Sequence, residues 1–432
     1  MKRIAYFSHG HPKYTKGGAE NFAYDLFSSL NSSNRASAWY FMASRMLDLP
    51  GGTNIKNFAY KNKSEISKQL LVRMPEDGYD HFFHRNLKGF SGFKRLREFL
   101  TVIAPEVFHI QHYLGFGLPL IHFLKKSFPS IPIVMTLHDY YLICPNDGKI
   151  LSQKGEICSW CDSYKCSTCY PVCDKSKFDM RESFVRNLIS FVDLFICPSY
   201  YLLERYHEWG IQKSKLVYCE NGRCPCLDQI KAVDVLSLRP SKREDNDGEV
   251  VFAYFGQLQR VKGIFVLLKA IELLPKEAKA VFYINGPTDG LSEDEQSIFF
   301  DFLTRLKKRV VYNGEYSLDN IPHLMQGVDW VICPSIWPEN SPLVVQEAFM
   351  YGKPVICPST GAFPEKVQHA KTGLFFKNGD FYDLSRVLIL CIKERGLCPN
   401  LSAQILQPYS IASCLDKHLD LYENLTGVSD GN

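Results

Sequence analysis

The chain has 432 residues, with 50 Lys and Arg against 46 Asp and Glu, for a net charge of +4. That near-balance gives no electrostatic case for nucleic-acid binding, and no run of 18 apolar residues is present to span a membrane. A 46% apolar share with 13% aromatic and 22% charged residues describes a globular protein with large cores, long enough for two or three domains.

In chain order, short β-rich runs alternate with helical patterns, which predicts an α/β fold with parallel sheets. "RIAYFS" reads as a first strand. Its apolar stretch is too short for a secretory signal, so a cytosolic location with reduced thiols is expected. The polar loop "HGHPKYTKGG" follows, then a helix from Ala19 with Phe22, Leu26 and Leu30 on one face. Further strands are expected at Ala36–Phe41, Val107–Ile110, Ile133–Leu137, Leu194–Cys197 and Leu216–Cys219. The stretch Ile55–Leu100 is weakly patterned. Within it, His81–Phe99 reads as a helix with a solvated basic face, and as an alternative it is a peripheral contact with anionic lipid.

"SKREDNDG" is charged and free of apolar residues, and marks a linker over 228–248. A second series then runs through "EVVFAYFG", "GIFVLLKAIELL", "AVFYING", "EDEQSIFFDFLTRLKK", "RVVYNG", "NIPHLMQ", "WVICPS" and "PVICPS". The expected organisation is a Rossmann-like domain over 1–227, a second over 249–408, and an amphipathic C-terminal helix over 409–425 packing back on the first.

In open α/β sheets, ligands bind beyond the carboxyl ends of the strands. "PENSPLVVQEAFMYGKPVI", Pro338–Ile356, follows such a strand. It reads as a buried helix with Ser341 as N-cap and Pro342 at the first helical position. The N–H groups of Leu343 and Val344 then make an anion site suited to a diphosphate. Glu339 and Glu347 are carboxylates in an apolar setting, which is costly unless something binds them. A ribose diol at Glu347 and a sugar hydroxyl at Glu339 would answer that cost.

The Glu-x7-Glu pattern enclosing "NSPL" is accompanied by "GGAE" (Gly17–Glu20), "LHDYYLICP" (Leu137–Pro145), "ENG" (Glu220–Gly222), "FGQLQRVKG" (Phe255–Gly263), "INGP" (Ile284–Pro287) and "TGAFPEKVQHAKTGLFF" (Thr360–Phe376). In this order and spacing the sequence resembles glycosyltransferase family 4, retaining enzymes of the GT-B fold. The resemblance implies two facing Rossmann-like domains with a cleft between them. It implies transfer of a sugar from a nucleotide diphosphate sugar (UDP- or GDP-linked) to a hydroxyl on a glycan or lipid-linked acceptor, in cell-surface polysaccharide or glycolipid synthesis. No catalytic metal or other cofactor is implied. A GT-B-fold sugar-nucleotide epimerase and a non-catalytic GT-B-like binding protein are the alternatives.

By that resemblance, Gly17 and Gly18 lie in the loop that closes over the donor phosphates, and the sequence there is not a dinucleotide fingerprint. Lys262 supplies a cation to the departing diphosphate. Gln257 stands where the family often has Arg, and Arg260 is the candidate to restore the second cation. Asn340 and Ser341 complete the donor set beside Leu343, Val344 and Glu347. His138 approaches the reacting carbon of the sugar. Glu20, Asp139 and His112 are candidates on the acceptor side.

The cysteines fall apart from this pattern. Cys144, Cys158, Cys161, Cys166, Cys169 and Cys173 fall within one insertion over 144–173. Two C-x2-C pairs make Cys158, Cys161, Cys166 and Cys169 candidate ligands of a structural zinc. The gap between the pairs is shorter than in common zinc ribbons, and an iron–sulfur cluster or reduced free thiols are alternatives.

Overall fold

The computed structural model describes residues 1–12, 17–44, 55–57, 68–73, 78–87, 90–152, 155–158, 161–170, 173–223 and 248–427. The linker expected over 228–248 lies outside the described residues except for its last position. The chain divides into two compact units, Met1–Gly222 with Ile411–Asn432, and Arg223–Ser410.

The first unit runs β1 (Lys2–Ser8), α1 (Gly18–Ser32), β2 (Ala36–Ser44), β3 (Ile55–Asn57), β4 (Gln69–Arg73), β5 (Tyr79–Asp80), β6 (Arg85–Asn86), α2 (Phe90–Ile103), β7 (Val107–Ile110), α3 (Pro119–Ser127), β8 (Ile133–Thr136), α4 (Ser163–Cys169), α5 (Lys175–Ile189), β9 (Leu194–Cys197), α6 (Tyr200–Glu208) and β10 (Leu216–Tyr218). Its eight-stranded sheet has the order β10-β9-β8-β7-β1-β2-β4-β3, parallel except for the antiparallel edge pair β3–β4. Ile4, Ala5, Tyr6 and Phe7 of β1 are fully buried, the unbroken run expected of a parallel strand covered on both faces.

His81–Phe99 is not a single helix. The Asp80 carboxylate accepts the N–H groups of Phe82 and Phe83, each at 3.1 Å, and His84 takes a φ of 52° that an α-helix excludes. A short antiparallel pair, β5–β6, therefore precedes α2.

The second unit runs β11 (Val250–Phe255), α7 (Ile264–Glu272), β12 (Ala280–Asn285), α8 (Glu293–Leu306), β13 (Val310–Gly314), α9 (Ile321–Met325), β14 (Trp330–Ile332), α10 (Leu343–Met350), β15 (Val355–Pro358), α11 (Phe363–Lys366), β16 (Gly373–Phe376), α12 (Phe381–Lys393) and α13 (Leu397–Ser402). Its six parallel strands have the order β13-β12-β11-β14-β15-β16. Phe252 and Phe282 stack at 4.8 Å between ring centroids, across the β11–β12 pair.

The chain then returns to the first unit as α14 (Ile411–Thr426). Tyr422 anchors it: its hydroxyl lies 2.8 Å from the Tyr6 hydroxyl of β1 and 2.6 Å from His109 Nδ1 of β7.

Each sheet has one topological switch point, where successive connections leave in opposite directions. In the first unit it lies between β1 and β7, and in the second between β11 and β14. The segments leaving these four strands carry His9, His112, Lys262 and Glu339.

Candidate active site

At the second unit's switch point, the loop after β11 carries Lys262 and the loop after β14 carries Glu339. Lys262 Nζ donates to Glu339 Oε1 at 2.8 Å, and the Ser335 hydroxyl donates to the same oxygen at 2.8 Å. Lys262 also stands 4.9 Å from the centre of the Trp337 ring. Glu339 is held at its backbone as well, because its carbonyl accepts the Ala362 N–H at 2.7 Å.

The two loops meet through a glycine. Gly263 has a φ of +76°, and a Cβ there would lie 1.8 Å from the Pro334 carbonyl oxygen. No side chain fits that approach, and the approach is what brings Lys262 to Glu339.

α10 begins at Leu343, not at Pro342. Pro342 is the N-cap, with a ψ of 99° that is extended rather than helical. Ser341 makes no capping bond, and its buried hydroxyl has no hydrogen-bond partner. The first N–H groups of α10 lie in the segment that follows the carboxyl end of β14.

Both carboxylates are buried, but the chain's own cations meet them. Glu347 Oε1 accepts from Arg223 Nε at 3.1 Å and from Nη2 of the same guanidinium. Burial of Glu339 and Glu347 is therefore not by itself a sign of a polyol ligand, which corrects the sequence argument. The bonds fall on one oxygen of each group.

Arg223 was missed in the sequence. The available signal was its place directly after "ENG", a motif already singled out. The cation expected at Arg260 is directed elsewhere: its guanidinium pairs with Glu295 at 2.7 Å and its side chain is 64% exposed. Gln257 likewise donates to Asp289 at 2.9 Å.

The first unit's switch point gathers a second cluster. His9 follows β1, and its Nε2 lies 2.9 Å from Glu20 Oε1 in the first turn of α1. His112 follows β7 and donates from Nε2 to Asp139 Oδ2 at 2.7 Å. Leu114 N–H donates to His112 Nδ1 at 3.1 Å, which fixes that tautomer. The His9 and His112 rings are 4.1 Å apart between centroids, so two carboxylate–imidazole pairs stand side by side.

Gly17 allows this packing: a Cβ there would lie 2.2 Å from Glu20 Oε2. His9 was not singled out in the sequence, although a histidine directly after the first strand is the signal. Its Nδ1 is buried without a hydrogen-bond partner.

The electrostatics follow from burial and pairing. Burial, then the neighbouring His112, lowers the pKa of His9 despite the Glu20 carboxylate. Burial alone would raise the Asp139 carboxyl, but His112 and the Tyr141 N–H outweigh it and hold it below its ordinary range. The same contest, won by His9, keeps Glu20 low. His138 donates from Nε2 to Gln111 Oε1 at 3.1 Å, and burial pushes its pKa down to about 3. It is therefore a neutral hydrogen-bonding group at ordinary pH. His109 is a buried structural residue, bonded to Tyr422 and to Thr136 at 2.8 Å.

Of the four sulfurs expected to hold zinc, Cys161 is hydrogen-bonded to both Cys158 and Cys166. Cys158 and Cys161 Sγ are 3.8 Å apart, but the Cys169 thiol donates to the Leu151 carbonyl at 3.8 Å. α4 is instead fixed by Asp162, whose side chain accepts the Lys165 N–H at 2.8 Å. Among the described residues, the three metal-ligating groups whose ligand atoms all lie within 4.8 Å of one another are Cys219, Cys414 and His418. No described helix is long and apolar enough to cross a membrane.

Two parallel α/β units, each with a polar cluster at its switch point, define the GT-B class of sugar-transferring proteins. The family Glycosyltransferase Family 4 matches residues 16–223 and the family Glycosyl transferases group 1 matches residues 238–406. The chain belongs to this glycosyltransferase group. Among solved structures, sucrose-phosphate synthase from Thermosynechococcus elongatus covers 99% of this chain and 100% of its own, at a TM-score of 0.72 and 16% identity. Anabaena HepE in complex with UDP covers 98% of this chain and 100% of its own, at a TM-score of 0.67 and 17% identity. Among curated relatives, a 41.2 kDa protein of the Klebsiella pneumoniae cps region is 27% identical over 47% of this chain and 52% of its own length. A D-inositol 3-phosphate glycosyltransferase of Mycobacterium sp. is 27% identical over 37% of this chain and 35% of its own. The chain thus matches about half or less of the length of these curated relatives.

Proposed function

We propose that the protein transfers a sugar, with retention, from a nucleotide diphosphate sugar to a hydroxyl of a glycan or lipid-linked acceptor. The observation that carries this reading is the joining of Lys262, Ser335 and Glu339 at the switch point beside the start of α10. The leaving group is a nucleoside diphosphate, so the reaction needs anion stabilisation more than a strong nucleophile. The Lys262 ammonium and the N–H groups of Leu343 and Val344 supply it.

On donor binding, the second oxygen of Glu339 accepts a sugar hydroxyl and that of Glu347 a ribose hydroxyl. Lys262 and Arg223 hold these carboxylates in place. His138 is uncharged, so it would not oppose positive charge developing at a reacting carbon. In the first unit His9, oriented through Glu20, has Nδ1 available to accept a hydrogen bond from an acceptor hydroxyl other than the reacting one. As the carbon–phosphate-oxygen bond breaks, the phosphate oxygen takes up the hydroxyl proton and the new glycosidic bond forms on the same face.

HepE has been solved with UDP-glucose, which places UDP-sugars first among the probes. The test is thermal shift and calorimetry against UDP-, GDP- and ADP-sugars, followed by transfer to glycan and lipid-linked acceptors. Stabilisation by one nucleotide class and acceptor-dependent release of its diphosphate are expected. Failure of every nucleotide sugar to bind would end the reading, and an isomerised sugar without acceptor would replace transfer with epimerisation.

A further inference from the structure

Away from these clusters, Cys219 follows β10, while Cys414 and His418 stand one helical turn apart on α14. All three belong to the first unit and are buried, His418 completely. His418 Nδ1 lies 3.5 Å from Cys414 Sγ and 3.7 Å from Cys219 Sγ, and all three atoms fall within 4.8 Å of one another. In a tetrahedral zinc site, with sulfur at about 2.3 Å and nitrogen at about 2.05 Å from the ion, neighbouring sulfur and nitrogen ligands stand about 3.6 Å apart. The triangle thus already has the size of one face of such a site.

The geometry points to a thiophilic metal-ion site formed by Cys219 Sγ, Cys414 Sγ and His418 Nδ1. Two thiolates and one imidazole are a ligand set for Zn²⁺ or Cu⁺. Binding releases the two thiol protons, and the imidazole proton passes from Nδ1 to Nε2. Without metal, Nδ1–H donates to the Cys414 carbonyl at 2.8 Å. That carbonyl lies inside α14 and keeps its helical bond when Nδ1 turns to the ion, so no acceptor is orphaned. Nε2 has no hydrogen-bond partner and takes the proton without breaking a bond.

The ion has a structural consequence within the first unit. Cys219 stands three residues before Gly222, where the chain leaves that unit, and Cys414 three residues after Ile411, where it returns. Metal here fastens the end of β10 to α14. Complete burial means the ion enters as the chain folds and is released on unfolding.

The test uses the full chain produced in zinc-supplemented medium and purified under reducing conditions. Bound metal is counted by mass spectrometry, and refolding with Co²⁺ or Cu⁺ alone replaces the ion. The Cys219→Ser/Cys414→Ser variant is expected to lose one metal equivalent and the sulfur-to-cobalt absorption. A variant with Ser at positions 158, 161, 166 and 169 is expected to keep both. Should the first variant fail to fold, His418→Gln reads the same site through its metal content. Retention of the equivalent in these variants, or a reduced wild-type chain that carries no metal after growth in zinc and takes up none on refolding with Co²⁺ or Cu⁺, overturns the proposal.

Discussion

Arg223 reaches Glu347 through two nitrogens on one carboxylate oxygen, Nε at 3.1 Å with Nη2 beside it, and both side chains are buried. A buried pair broken on one side leaves an uncompensated charge, at about 3–5 kcal/mol. Arg223→Met is therefore expected to lower stability by that order in denaturant titration. Arg223→Met/Glu347→Leu should recover most of the loss while still failing to bind donor. An Arg223→Met protein as stable as the parent would remove the pair from the account.

Lys262 serves two purposes that can be separated. It neutralises Glu339 in the resting protein and, in the proposed reaction, meets charge that grows on the leaving phosphate. Lys262→Ala should lower kcat by about 10²–10³-fold, the scale for one preorganised electrostatic donor. Affinity for the free nucleoside diphosphate, measured by calorimetry, should change much less. Equal losses in both would mean that Lys262 binds rather than catalyses.

Gly17 offers a variant that perturbs chemistry without breaking the fold. Its φ is −136°, open to any residue, and the atom an added Cβ would strike is the movable end of Glu20. Gly17→Ala should melt near the parent temperature yet displace Glu20 from His9, with a loss of transfer of about 10²-fold for a shift of this size. Activity near the parent's, with a folded protein, would show that the His9–Glu20 pair is not used.

The buried histidines make stability acid-sensitive. His84 and His138 both have pKa values pushed down to about 3, chiefly by burial. In the unfolded chain each returns to about 6.5. Between those values the unfolded state holds the extra protons, so stability falls as pH drops through about 6.5 towards 3 and is level above it. Glu20 and Asp139, held low, add losses in the same direction only at more acid pH. His84 has a φ of 52°, which Asn tolerates. His84→Asn should therefore give a shallower fall in Tm between pH 7.5 and 5, and an unchanged slope would exclude His84 as a contributor.

Much of the framework was legible because it is local. β11, α7 and β12 announce themselves within "EVVFAYFG", "GIFVLLKAIELL" and "AVFYING", where apolar runs and helical spacing are set by neighbours a few residues apart. The positions of Lys262 and Glu339 just beyond strands were legible for the same reason. The start of α10 differs by one residue from the sequence reading because Pro342 satisfies the helical φ while its ψ of 99° does not.

The sequence by itself determined the two α/β series, the loops after each strand that carry polar side chains, and the family pattern. Tertiary structure alone decided which side chains meet. Arg223 and Glu347 are 124 residues apart, and His109 and Tyr422 are 313 apart. Cys219 and Cys414, which meet beside His418, lie 195 residues apart and outside the cysteine cluster expected over 144–173. Periodicity records only which face of an element is buried. Partnership depends on strand order within a sheet, and that is settled by the summed packing of elements remote in the chain.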